Sequence, residues 1–128
     1  MSLREKIRIM VVDDMTVSRG LLTMGLEKIG ISNVVPIDHA HKALKSLETS
    51  PAHLVISDYN MPDMDGLEFL LALRKNQKTQ RIGFIMVSGK FDQTVVDLGK
   101  RLGMNNFLKK PFTDETLKQC VESVTGPL

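Results

Sequence analysis

The apolar residues of this chain are concentrated in five short runs, Ile7 to Val12, Val34 to Ile37, Leu54 to Ile56, Phe84 to Val87 and Asn106 to Leu108. Runs of this length bounded by turn residues read as strands. The first, third and fourth are almost continuous in Val, Ile, Leu, Phe and Met rather than alternating, as expected where helices cover both faces of a sheet. These three are expected at the sheet centre. Between the runs, apolar residues recur at helical spacing: Val17, Leu21, Leu22, Leu26 and Ile29; Ala40, Ala43, Leu44 and Leu47; Leu67, Leu70, Leu71 and Leu73; Val95, Leu98 and Leu102; Leu117, Val121 and Val124. A helix that buries one face shows this pattern. The punctuation agrees. Asp65 with Glu68 reads as a capping box, Asp92 and Thr113 as N-caps, and Gly30 and Gly103 as helix stops.

Five alternations of strand and helix predict an α/β domain, a doubly wound five-stranded parallel sheet flanked by five helices. The expected strand order, 2-1-3-4-5, is borrowed from flavodoxin-like sheets as a template; it is not dictated by the residues. With 128 residues, 42% of them hydrophobic, the chain fills one domain, residues 1–128, and no output domain is expected. Seventeen Lys and Arg against fifteen Asp and Glu leave a net charge of +2. That balance argues against nucleic acid or anionic membrane and favours a protein partner. The single cysteine, Cys120, cannot form an internal disulfide, and the N-terminus has no signal-like apolar run. No stretch reaches the roughly 20 apolar residues of a membrane span. A cytoplasmic, monomeric protein is expected.

Polar residues follow the strands in a regular way: Asp13 and Asp14 after the first, Asp58 after the third, Ser88 after the fourth and Lys110 after the fifth. In an open parallel sheet the carboxyl ends of the strands share one edge, and a switch in strand order opens a crevice there. Three carboxylates meeting in that crevice repel one another unless a cation is bound or some are protonated. Mg2+ suits the need, since it prefers carboxylate oxygens, keeps several waters and accepts phosphate oxygens. The candidate ligands are Asp14, Asp58 and the backbone carbonyl of Asn60, with Asp13 nearby or acting through water. Lys110 offers a point charge and Ser88 a hydroxyl donor, both suited to the oxygens of a phosphoryl group on Asp58. Phosphoryl transfer is catalysed mainly by positioning and charge neutralisation, so this set is sufficient. Asp58 is already an anion, and no general base is required.

The segment LVISDYNMPDMDGLEFL at 54–70, with VVDD at 11–14, VSG at 87–89 and KPF at 110–112, resembles the response-regulator receiver family of two-component signalling, most of all its chemotaxis members. The resemblance covers essentially the whole chain. It implies Asp58 as phosphoacceptor, Asp13 and Asp14 as the acidic pair, Ser88 as the switch hydroxyl, Lys110 as the lysine of a cis Lys110-Pro111 bond, and Phe107 as the switch aromatic. It further implies that Asn60 and Lys90 modulate the lifetime of the phosphoryl group. A histidine kinase or phosphotransfer protein would be the donor, and a downstream protein, such as a flagellar motor switch component, the target. The alternative within this class is a phosphorelay intermediate or phosphate sink. His39 and Ala40 stand where the family carries Asp-Gly, so a rebuilt turn is expected there.

Plainer readings exist for each residue taken singly. An Asp-Asp pair after a strand can cap a helix, Ser88 can serve a turn, Lys110 can be a surface lysine, and Phe107 is core by default. Their coincidence at strand ends favours a site. Met61 and Met64 read as packing residues. His39, His41 and His53 lack zinc-ligand spacing. Two other classes are disfavoured. A flavodoxin-like cofactor binder would need phosphate donors after the first strand, where Asp13 and Asp14 would repel the ligand. An aspartate-nucleophile hydrolase would need a covering cap, for which there is little room.

Overall fold

The computed structural model describes residues 2–128. It contains the five strands β1 (Arg8–Val12), β2 (Asn33–Ile37), β3 (Leu54–Asp58), β4 (Gly83–Ser88) and β5 (Asn106–Lys109). Around them lie six helices: α1 (Leu3–Lys6), α2 (Thr16–Lys28), α3 (Ala40–Thr49), α4 (Gly66–Lys75), α5 (Gln93–Arg101) and α6 (Asp114–Thr125). Every strand pair is parallel, and the order is β2-β1-β3-β4-β5. The three near-continuous apolar runs therefore occupy the centre, and the edges fall to β2 and β5. Pro36 lies in β2, consistent with an edge position because proline has no N–H to donate to a neighbouring strand.

Side-chain alternation along each strand divides the core in two. Met10, Val12, Val55, Phe84 and Met86 face Ala43, Leu47, Phe69, Leu70 and Val96 of α3, α4 and α5. Ile9, Val11, Ile56, Ile85 and Val87 face Leu22, Leu26, Leu117 and Val121 of α2 and α6. The predicted helix boundaries hold: Asp65 and Glu68 form a reciprocal capping box, and Asp92 accepts from the Thr94 and Val95 N–H groups. Thr113 caps α6 in a second box, closed by Thr116. Gly30 and Gly103 adopt φ of 97° and 93°, the left-handed conformation that ends a helix at least cost for glycine.

Two features depart from expectation. The sixth helix, α1, is four residues long and carries no apolar period; its Arg4 guanidinium donates to the Leu128 carbonyl, 124 positions away. Such a contact leaves no local signal. β3 runs to Asp58, beyond the apolar Leu54–Ile56, because pairing with β4 continues through Asp58 opposite Val87. The Asp38 to Ala40 turn carries His39 as an extended residue with no side-chain cap, and Ala40 opens α3 almost fully buried.

The end of β3 meets the start of α4 closely. Gly66 donates its N–H to the Tyr59 carbonyl at 2.8 Å, and a Cβ at residue 66 would strike Met86 Sδ and approach the Asp58 carbonyl oxygen to 2.9 Å. Only glycine allows this approach without displacing the end of β3. Gly66→Ala is expected to lower the unfolding free energy by about 1–3 kcal/mol, the usual cost of overpacking, measured by urea denaturation.

Candidate functional site

The strand ends bring the distant acids together. Asp13 leaves β1 with its N–H on the Ile37 carbonyl, Asp14 follows, and Asp58 closes β3 on the neighbouring strand. One carboxylate oxygen from each of the three lies within 4.8 Å of the others. Asp13 is fully buried and Asp58 nearly so. The two have different environments. Both Asp13 oxygens are engaged: Oδ1 accepts the Met15 N–H at 2.9 Å, and Oδ2 accepts from the Ser18 hydroxyl and, at 3.5 Å, from Lys110 Nζ. Asp14 Oδ1 is buried and has no hydrogen-bond partner among the described residues.

An orphaned buried carboxylate oxygen beside two further carboxylates is costly, and a hard divalent cation removes the cost by accepting all three as ligands or outer contacts. The donor set fits such an ion. Asp14 and Asp58 are the better placed to touch it directly, because both oxygens of Asp13 are already hydrogen-bonded. Asn60 sits two residues beyond Asp58 in the exposed loop that leads to α4.

Lys110 enters from the end of β5. Its N–H pairs with the Ser88 carbonyl at 2.8 Å, and the Lys110-Pro111 bond is cis. Nζ reaches Asp58 Oδ1 at 3.0 Å and Ser18 Oγ at 2.6 Å. Ser88, at the end of β4, is buried, and its hydroxyl oxygen accepts the Lys90 N–H at 3.2 Å. Beyond it, Tyr59, Asn60, Ser88, Lys90 and Phe107 line a cavity of about 210 Å3. The half-buried Phe107 ring is met edge-on by the exposed Phe91, at 6.1 Å between centroids. Lys109 is exposed on the strand, whereas Lys110 points into the acidic cluster.

Two participants were not singled out from the sequence. Ser18 reads as an ordinary polar position in the first turn of α2; its spacing five residues after Asp13 was the available signal. Phe91 sits in a loop, where an aromatic has no periodic context. Among the three histidines, His53 is engaged structurally, its Nδ1 accepting the Arg8 N–H at 3.0 Å. Met61 is buried in the core. Burial pushes the Cys120 thiol up to about 11, so it is a packing residue and a poor nucleophile.

Burial also holds the Asp58 carboxyl above its ordinary range; Lys110 pulls it back, and Asp13 and Asp14 add repulsion. The folded state thus binds this proton more readily than the unfolded chain does. In the absence of divalent cations, the contribution of Asp58 to stability grows as pH falls through the raised folded value towards the unfolded one, and is least above the folded value. Asp58→Asn removes one of three like charges while keeping the shape. It is expected to raise the unfolding free energy in chelator at pH 7 by about 1 kcal/mol, and to flatten the pH dependence of the melting temperature.

Comparison with known proteins agrees with this geometry. The family model described as response regulator receiver domain matches residues 9–122. The "Probable chemotaxis protein CheY" of Rhizobium etli is 41% identical over 128 residues, which cover 100% of this chain and 99% of that protein. The chemotaxis protein CheY1 of Helicobacter pylori is 30% identical over 120 residues, 93% of this chain and 97% of its own. Among solved structures, the Vibrio cholerae chemotaxis protein CheY4 superposes with a TM-score of 0.86 at 28% identity, covering 92% of this chain and 98% of that one. The receiver domain of a Pseudomonas aeruginosa sensor histidine kinase, solved with a magnesium ion coordinated in its active-site cleft, shares the fold with a TM-score of 0.84 at 22% identity, over 94% and 98% of the two chains. Matching strand order, strand-end acids and a family model spanning most of the chain lead to one conclusion: the protein belongs to the response regulator receiver domain family.

Proposed function

We propose that this receiver is a phosphorylation switch in which Asp58 accepts a phosphoryl group, with Mg2+ held by Asp14, Asp58 and the Asn60 carbonyl and with Asp13 acting through water. The observation that carries the reading is the juxtaposition of three carboxylates within 4.8 Å with a lysine ammonium 3.0 Å from Asp58. The magnesium ion seen in the active-site cleft of the Pseudomonas receiver, and the orphaned Asp14 oxygen here, support the choice of metal. When bound, the ion would neutralise charge on the transferring phosphoryl group and on the carboxylates around it.

The chain's own residues supply the rest. Asp58 attacks as an anion, its backbone fixed at the end of a paired strand and against the start of α4. Lys110 neutralises a phosphoryl oxygen as a point charge, and the Ser88 hydroxyl donates to another. Among the described residues the Ser88 hydroxyl is hydrogen-bonded only to the Lys90 N–H of the same loop, so it can be drawn towards the new anion. Movement of that loop would let the Phe107 ring, which already lines the cavity of about 210 Å3, turn further into it. The surface of α5, β5 and α6 then changes its preference for a partner, a population shift biased by the roughly −1.5 to −2 charge added at Asp58.

The donor is a phosphohistidine on a histidine kinase or phosphotransfer protein. Met15, the N-cap of α2, and Val17, Leu21 and Met24 of α2 are exposed apolar side chains that line a groove of about 520 Å3 together with Lys110. Such a groove next to the reactive carboxylate suits a protein donor. The output is a protein contact in the cytoplasm, and the chemotaxis relatives favour a component of the flagellar motor. Lys90, exposed at the mouth of the cavity, sets water access and so the lifetime of the phosphoryl group.

Asp58→Asn is expected to abolish labelling by acetyl phosphate with magnesium; label retained at the wild-type level would assign another acceptor. Asp14→Ala should weaken magnesium affinity by more than about tenfold in a direct titration. Lys110→Ala should retain metal binding yet uncouple phosphorylation from the α5-β5-α6 surface, seen as loss of the beryllofluoride-induced NMR shifts of α5, β5 and α6.

A further inference from the structure

The hydrogen bonds around Lys110 do not run to carboxylates alone. Nζ stands 3.0 Å from Asp58 Oδ1, 3.5 Å from Asp13 Oδ2 and 2.6 Å from Ser18 Oγ. The Ser18 hydroxyl in turn donates to Asp13 Oδ2, so the chain of donors is Lys110 to Ser18 to Asp13. A serine inserted in this way bridges the longer of the two ion-pair distances.

We propose that Ser18 is a positioning residue for phosphoryl transfer, its hydroxyl holding the Lys110 ammonium on the Asp13 side of Asp58 while keeping both Asp13 oxygens engaged. This rests on the assignment of Asp58 as phosphoacceptor. Lysine carries a flexible four-carbon stem and three donors in no fixed arrangement, so its head goes where acceptors hold it. Two carboxylates of like charge would let it wander between them. Ser18 breaks the symmetry.

The serine is itself rigidly placed. It lies in the first turn of α2, where the Arg19 N–H donates to the Met15 carbonyl at 2.9 Å and the Arg19 guanidinium donates to the Asp13 carbonyl at 2.8 Å. The strand end, the turn and the helix start form one hydrogen-bonded unit. Pinning the ammonium to Oδ1 leaves the other Asp58 oxygen clear of that bond and available to phosphorus. In the transfer from acetyl phosphate, that oxygen forms a bond to phosphorus as the bond from phosphorus to the acetate oxygen breaks. The electron pair leaves with acetate, and no proton need move.

Removing the hydroxyl should therefore slow the chemical step without weakening the metal site, because Asp13 loses a donor and Asp14 is untouched. Initial rates of incorporation from radiolabelled acetyl phosphate are compared at saturating magnesium for wild type, Ser18→Ala and Ser18→Thr, with magnesium affinity titrated on each. Ser18→Ala should lower the maximal rate by about tenfold, the size of losing one hydrogen bond to a charged group. Its KM for acetyl phosphate and its magnesium affinity should stay within about twofold of wild type, and Ser18→Thr, which keeps the hydroxyl, should recover most of the rate. A wild-type rate in Ser18→Ala, a loss explained by weaker magnesium binding, or a Ser18→Thr as slow as Ser18→Ala would each overturn the proposal. An Asp58→Asn control that still takes label would overturn the phosphoacceptor assignment instead, so the two failures are distinct.

Discussion

Three carboxylates crowded at one edge of the sheet, with one lysine among them, form the interaction that the site depends on. Asp13, Asp14 and Asp58 would separate if they were free to do so, since like charges this close repel one another. They stay together because their backbones are committed elsewhere: β1 and β3 are paired along their length, and both are buried on two faces. The apolar core thus works against the electrostatics at its rim. In the proposed switch, that strain would be relieved by a divalent cation.

The lysine has two roles in this balance. In the structure it offsets the carboxylates, with Ser18 as an intermediate to Asp13. In the proposed transfer it would be the cation that meets the incoming phosphoryl oxygens. A residue serving both states has to be held firmly enough to be in reach and loosely enough to change partner, and hydrogen bonds to one hydroxyl and one carboxylate satisfy both needs. The same economy is visible on the Ser88 side. Among the described residues that hydroxyl makes a single local hydrogen bond, and Ser88 lines a cavity large enough to receive part of an aromatic ring. Phe91 lies against Phe107 from outside, so the ring that would move has a neighbour at its exposed edge.

Much of the architecture was legible in particular residues. The continuous runs at Ile7–Val12, Leu54–Ile56 and Phe84–Val87 correspond to the three central strands, because burial on both faces leaves no room for alternation. Asp65, Asp92 and Thr113 cap the helices they precede, and Gly30 and Gly103 end theirs, since these are local requirements of helix termini. The short helix α1 was not legible. Its own Arg4 guanidinium holds it to the Leu128 carbonyl at the opposite terminus, and nothing within its four positions announces that partner. The strand order was likewise a borrowed template until the pairing was seen.

By itself, the sequence determined which residue types would stand at the ends of the strands, because periodicity and turn chemistry are local and the acids, the serine and the lysine follow them at regular intervals. It also determined that a parallel α/β sheet would form. Only the tertiary structure decided how those groups share their hydrogen bonds: that both Asp13 oxygens are engaged while an Asp14 oxygen is left without a partner, and that Lys110 reaches Asp58 directly and Asp13 largely through Ser18. Such pairings depend on distances between elements far apart in the chain, and differences of half an ångström there select one acceptor over another.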